Sequence, residues 1–245
     1  MTSPLPTALV TGASSGIGDA IARRLAGEGY RIIAVARRLE RLKALAADFP
    51  DGVIVPEAVD LRQDDEILAL FERVQASGTG LDVLVNNAGL GRRAPLLSGD
   101  TEGWREMLDI NVLALTICTR EAATLMQANG DRGHIINISS MAGHRVLPGS
   151  TFYAATKFAV RALTEGLRQE LRQAERNIRV SSISPGFVET EFAAQMDGEE
   201  KAKEIYGRFP VLQPEDIANA VWYLISQPEH VQIHDVLVRP TQQSR

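Results

Sequence analysis

The sequence predicts an α/β fold: a doubly wound, mostly parallel sheet of about seven strands with helices on both faces. Three observations carry this reading. Short apolar, β-rich runs alternate with longer helical patterns along the chain. The first run ends in a glycine-rich turn that opens a helix. No repeat, low-complexity tract or Gly/Ser linker divides the alternation. Strands joined through helices pair in parallel by right-handed crossovers.

The first strand is predicted at 7–10, followed by a helix at 16–27 with Ile17, Ile21 and Leu25 on one face. Strand 31–36, helix 38–47 and strand 53–59 come next. Helix 64–76 presents Ile67, Leu68, Leu70, Phe71 and Val74 as its apolar side. Strand four is expected at 81–85, a long helix at 101–128 and strand five within 133–139. A second long helix covers 151–176 and strand six 178–183. Pro214 opens a helix that reaches 226, because proline suits the first helical position. A last strand is expected at 236–238. The polar stretch 189–208 breaks the pattern and is read as a mobile insert.

The chain has 245 residues, 44% of them hydrophobic, and a formal net charge of −5. Its length suits one domain, and its apolar content is ample for a packed core. A pI near 5.5 and the lack of a long Lys/Arg run argue against nucleic acid or an anionic membrane as partner. Cys118 is the single cysteine and lies in an apolar run, so it is read as a small core residue. The N-terminal stretch lacks a signal-peptide pattern, and no run reaches the roughly 18 apolar residues of a membrane span. A soluble, cytoplasmic protein is expected. His134, His230 and His234 show no ligand spacing, so no metal is expected.

The turn after strand one reads Thr11-Gly12-Ala13-Ser14-Ser15-Gly16-Ile17-Gly18. Glycines let the chain bend and let a pyrophosphate approach backbone, where a helix offers free amides and its positive dipole end. The spacing Gly-x3-Gly-x-Gly differs from Gly-x-Gly-x-x-Gly, and an ordinary glycine-rich turn is the alternative. Strand two ends at Arg37-Arg38 where an acid would bind a ribose 2′-hydroxyl. Two guanidiniums suit a 2′-phosphate instead, which predicts NADP; solvated charges opening a helix are the alternative. Asp60, with Leu61 beside it, follows strand three and is placed at the adenine, or at the cap of the next helix. Asn86-Asn87-Ala88-Gly89 follows strand four at the carboxyl edge, where Asn87, Ala88 and Gly89 would approach the adenosine ribose. A plain Asn/Gly turn is its alternative.

Tyr153 and Lys157 stand four apart on a predicted helix, so their side chains share a face. A nearby ammonium would favour the phenolate and lower the tyrosine pKa towards neutrality. Ser140 ends strand five thirteen residues earlier and can hold a carbonyl oxygen for Tyr153 to protonate; Ser139 is its rival. Asn111 is a polar residue in an apolar helical run, and a buried amide must find partners. It would bond a helix carbonyl or water and link Lys157 to solvent, unless it is purely structural.

Together these residues resemble the short-chain dehydrogenase/reductase family. The turn at 11–18, Asn86 to Gly89, Asn111, Ser140, Tyr153, Lys157, Pro185-Gly186 and Thr190 match its motifs in order over nearly the whole chain. The resemblance implies a Rossmann-type sheet and a tetrad of Asn111, Ser140, Tyr153 and Lys157. It also implies homotetramers, with the Asn111 and Tyr153 helices packed between subunits. NADP is implied where arginine stands at the Arg37 or Arg38 position. The stretches 111–115, 143–148, 162–171 and 239–241 resemble a narrower group. That group comprises animal reductases of 3-keto and 17-keto steroids, insect farnesol dehydrogenases, and bacterial dehydrogenases of serine and 3-hydroxy acids.

The expected protein is one catalytic domain over 1–245 with a substrate lid at 189–210. It would interconvert a hydrophobic ketone or aldehyde and its alcohol by hydride transfer with NADP(H). Pro185, Gly186, the Val188 backbone and the Thr190 hydroxyl would hold the carboxamide end. Phe187, Phe192 and Met196 would offer apolar contacts under the lid. His144 and Arg145 would bind a substrate carboxylate, or hold their own loop. The rival readings are a 3-hydroxy-acid or serine-type dehydrogenase, a nucleotide-sugar epimerase or dehydratase, and a non-catalytic NADP sensor. The Tyr153–Lys157 pair argues against the sensor, and the short chain against the epimerase.

Overall fold

The computed structural model describes residues 5–146 and 148–243. Residues 1–4, which begin the N-terminal stretch read above, Leu147 of the 143–148 stretch, and residues 244–245 lie outside it. Seven strands make one sheet: β1 (Thr7–Thr11), β2 (Arg31–Ala36), β3 (Ile54–Ala58), β4 (Val83–Asn86), β5 (Arg132–Ile138), β6 (Asn177–Pro185) and β7 (Asp235–Val238). Their order is β3-β2-β1-β4-β5-β6-β7, and every neighbouring pair is parallel. The chain winds from β1 outward to β3, then crosses to β4 and winds out to β7. The switch in direction lies between β1 and β4, and it opens a crevice at their carboxyl ends.

The helices are α1 (Gly16–Gly27), α2 (Leu39–Ala47), α3 (Asp64–Ala76), α4 (Thr101–Leu108), α5 (Leu115–Ala128), α6 (Thr151–Gln173), α7 (Glu191–Asp197), α8 (Glu199–Tyr206) and α9 (Pro214–Ile225). Alternate strand residues feed two cores. Ala8 and Val10 of β1 join Ile21 and Leu25 of α1 and Val221 and Leu224 of α9 on one face. Leu9 joins Ile67 and Phe71 of α3, Met126 of α5 and Leu171 of α6 on the other. Strands covered on both faces read as unbroken apolar runs, which is why β1 is buried throughout. Each fully buried leucine or isoleucine stabilises the sheet–helix contact by about 1.5–3 kcal/mol.

Two expectations need correction here. Leu68 is 38% exposed and does not join the apolar side of α3, because it follows Ile67 by 100° around the helix. The helix expected over 101–128 is not uniform: between α4 and α5 the segment Asp109–Ala114 is π-helical. A π turn widens the helix by one residue and redirects side chains, commonly at functional sites. Here it contains Asn111, which is buried. The insert forms the short helices α7 and α8. Among the described residues no helix is long and apolar enough to cross a membrane.

Candidate active site

The crevice at the carboxyl edge is a cavity of about 960 Å³. Every residue assigned from sequence to catalysis or to the cofactor lines it except Gly18 and Asn111, which lie one layer behind. The glycine turn is shaped by close approach. Gly12 has φ 70°, in the left-handed region that glycine adopts without cost. A Cβ at Gly18 would stand 2.3 Å from the Gly12 carbonyl oxygen and 2.5 Å from Asn87 Nδ2, so only glycine fits. The β1 and β4 ends are tied together. Thr11 Oγ1 accepts from the Asn87 and Ala88 amides, each at 3.0 Å, and Asn87 Nδ2 donates to the Thr11 carbonyl at 2.9 Å.

Ser15 caps α1 in position only, since its side chain makes no capping bond to the helix amides. Its hydroxyl instead accepts from Arg38 Nη2 at 2.7 Å. Arg38 also donates from Nε and Nη2 to Ser14 Oγ at 3.1 and 3.0 Å. The turn therefore presents helix amides without a side-chain cap, a bend that a Cβ would fill, and arginines at its rim. Those three features fit a phosphorylated dinucleotide lying along the crevice. Asp60 lines the same end, but its partner is Arg62, whose hydrogen bonds hold its carboxyl below the usual range. Gln63, not Asp60, stands at the cap of α3.

At the other end Ser140, Tyr153 and Lys157 converge. Lys157 Nζ donates to the Ile138 carbonyl at 3.0 Å, and it lies 5.9 Å from the centre of the Tyr153 ring. Burial acts on both groups. It raises the Tyr153 phenol to about 12, with a Ser140 hydrogen bond as the opposing influence. It lowers Lys157 to about 8. The expectation that the ammonium pulls the phenol towards neutrality is not met: here desolvation wins, since it penalises phenolate and ammonium alike.

Ser139 and Ser140 are now distinguishable. The Ser139 hydroxyl turns to the Lys157 carbonyl of α6 at 3.4 Å. Ser140 accepts from the Ala142 amide at 3.1 Å and acts on Tyr153. Asn111 is 1% exposed and satisfied by protein. Its Oδ1 accepts from the Leu90 amide at 2.9 Å, and its Nδ2 donates to the Leu90 carbonyl at 2.9 Å and Thr156 Oγ1 at 3.0 Å. Its protein partners are thus a loop and the Thr156 side chain of α6, not a carbonyl of its own helix.

Residues of the 189–208 insert line this end. The Phe192 ring sits 5.6 Å from that of Tyr153, and Phe187 and Met196 also line the cavity. Thr190 is partly committed: its hydroxyl accepts from the Phe192 amide at 3.2 Å as the cap of α7. Tyr206 Oη donates to the Thr190 carbonyl at 3.1 Å. Val188 forms a lone bridge to Leu212. His144 and Arg145 do not line the cavity. His144 Nε2 pairs with Ser184 Oγ at 2.9 Å, so its loop role is the one realised. Cys118 is buried in α5 with its thiol pushed up to about 12, the state of an inert core residue.

Several cavity residues carry no local signal in the sequence. Gln243, near the end of the chain, accepts from the Phe187 amide at 3.1 Å and lies against Gly186. Arg92, Arg93 and Glu191 also line the space. Their positions follow from loops and helices brought together by tertiary structure.

A parallel sheet with a phosphate-type turn at its switch point and a Ser–Tyr–Lys cluster at the far end defines an oxidoreductase built on a dinucleotide crevice. The short chain dehydrogenase family model matches residues 6–201, and the chain belongs to that family. Dehydrogenase/reductase SDR family member 11 of Homo sapiens is 50% identical, over 96% of this chain and 94% of that protein. Farnesol dehydrogenase of Aedes aegypti is 41% identical, over 95% of each. Among solved structures, the closed form of serine dehydrogenase complexed with NADP+ superimposes with a TM-score of 0.92 at 36% identity, covering 98% of this chain and 96% of that one.

Proposed function

We propose that this protein is an NADP-dependent carbonyl reductase, interconverting a ketone or aldehyde and its alcohol, with Tyr153 as general acid and base. One observation carries the reading: a single cavity holds Ser140, Tyr153 and Lys157 at one end and Arg37 and Arg38 at the other. A reduced nicotinamide supplies the hydride when bound. Tyr153 retains its proton at neutral pH and donates it to the substrate oxygen. Ser140, beside the phenol, orients that oxygen by hydrogen bonding. Lys157 carries the positive charge that steadies the phenolate once the proton has left. Asn111 positions the Leu90 loop and α6 around them. Arg37 and Arg38 select the 2′-phosphate, and Pro185, Gly186, Val188 and Thr190 face the carboxamide end.

Phe187, Phe192 and Met196 favour a substrate with an apolar body, and the likeness to the mosquito farnesol dehydrogenase supports an alcohol of that kind. A second reading, a 3-hydroxy-acid or serine-type dehydrogenase, is favoured by Arg92 and Arg93 in the same cavity and by the serine dehydrogenase likeness. The proposal extends to a homotetramer in the cytoplasm. Leu113 of the π segment and Phe158 of α6 are 45% and 40% exposed, which suits helices packed between subunits. The test is NADPH consumption by purified protein against steroids, aliphatic ketones, aldehydes and 3-oxo acids, with Tyr153→Phe alongside. Near-normal kcat in that variant, with cofactor still bound, would refute the assignment.

A further inference from the structure

Glu191 stands on the cations at the adenosine end of the cavity. It is the first residue of α7. Its carboxylate accepts from Arg38 Nη1 at 3.0 Å and from Arg41 Nη1 at 2.7 Å. The other donors of Arg38 go to the hydroxyls of Ser14 and Ser15. The anion on Arg38 is thus a residue of the lid, and it occupies the guanidinium that would hold a 2′-phosphate. The same helix reaches the opposite end. Phe192 packs on Tyr153, and a Cβ at Gly91 would stand 2.8 Å from Met196 Sδ and 2.9 Å from Phe192 Cζ. One short helix is anchored at both ends of the crevice.

We propose that Glu191 is a built-in competitor for the cofactor's 2′-phosphate, and that exchange of one anion for the other releases α7 from the adenosine side. The inference rests on the NADP reading above. A phosphate pairs with guanidinium through charge-assisted, bidentate bonds, and a carboxylate on the same group repels it. A ribose 2′-hydroxyl carries no charge and leaves the carboxylate in place. Arg41 gives Glu191 a second cation, so displacement from Arg38 does not strand its charge. Arg38 and Glu191 are 42% and 44% exposed, so solvent and salt weaken the competition. A ligand shifts a conformational balance only by its differential affinity for the two states, and here the phosphate supplies that difference.

The test uses 2′,5′-ADP and 5′-AMP, which carry the adenosine end without a nicotinamide. Glu191→Gln keeps the shape of the side chain and removes its charge. Calorimetry at low ionic strength should find 2′,5′-ADP bound about 5-fold more tightly by the variant than by the wild type, with 5′-AMP unchanged. Hydrogen exchange in the wild type should quicken over 191–206 with 2′,5′-ADP and not with 5′-AMP. Equal or weaker binding of 2′,5′-ADP by the variant overturns the competition. Unchanged exchange at saturating 2′,5′-ADP overturns the release of α7. The NADP reading is tested separately with Arg37→Ala/Arg38→Ala. If that protein still prefers 2′,5′-ADP over 5′-AMP as the wild type does, the NADP reading fails. If the preference is lost there while Glu191→Gln has no effect, only the role of Glu191 fails.

Discussion

Lys157 Nζ donates to the Ile138 carbonyl at 3.0 Å while the centre of the Tyr153 ring lies 5.9 Å away. The ammonium is therefore anchored to the end of β5 and faces the phenol across a short gap. With burial holding Lys157 near 8 and Tyr153 near 12, the lysine titrates first as pH rises.

That order predicts the pH profile of reduction. Below pH 8 Lys157 is an ammonium and Tyr153 a neutral phenol, the state that donates a proton. Above pH 8 the lysine charge is lost while the phenol keeps its proton, so kcat/KM should fall through a break near 8. Lys157→Ala should abolish the break and lower kcat by about 100-fold or more. A profile that rises through pH 8 would contradict the assignment.

The two adjacent serines predict different losses. Ser140→Ala removes the hydroxyl that acts on Tyr153 and accepts from the Ala142 amide, so it should lower kcat by about 100-fold and cost about 1 kcal/mol of stability. Ser139→Ala removes a long bond to the α6 backbone, so it should cost about 1 kcal/mol of stability and less than about 10-fold in kcat. Steady-state kinetics and thermal melts on the pair read the split.

Arg37→Ala/Arg38→Asp should reverse cofactor preference. The change removes both guanidiniums and places an acid where a ribose hydroxyl would bind. The ratio of kcat/KM for NADPH over NADH should fall by about 100-fold or more. An unchanged ratio would place the 2′-phosphate elsewhere.

Which parts of this site were legible in sequence follows from the range of the contacts. The turn at 12–18 and the Tyr153–Lys157 pair are local, so spacing alone locates them. Asn111 was visible as a polar residue in an apolar run, but its partners Leu90 and Thr156, 21 and 45 residues away, were not. Arg38 was legible as a cation; its partner Glu191 was not, since 153 residues separate them. Asn86 looked like part of a ligand-facing turn. It instead donates to Asn137 Oδ1 at 2.9 Å and Thr119 Oγ1 at 3.0 Å, starting a buried ladder that Asn137 carries on to Thr164 at 2.9 Å. The Tyr153 pKa was misjudged because sequence shows the neighbouring charge and hides the burial.

His134 predicts the acid stability of the sheet. It is buried in β5, with Nε2 2.8 Å from Ser181 Oγ. Ser181 gives its own hydrogen to the Ile233 carbonyl, so it must accept from His134 Nε2–H. Desolvation first, then Arg179, lowers the imidazole from 6.5 to about 3. The unfolded chain takes up a proton near pH 6.5, whereas the folded chain resists until about 3. Stability is therefore intact above 6.5 and declines as pH falls from there towards 3, by on the order of 4 kcal/mol in all. His134→Gln retains a donor to Ser181 and cannot titrate. Its Tm should start lower than that of the wild type at pH 7.5 and lose less between pH 6.5 and 4.5. Parallel Tm curves for the two proteins over that interval would show that His134 is not the group in control.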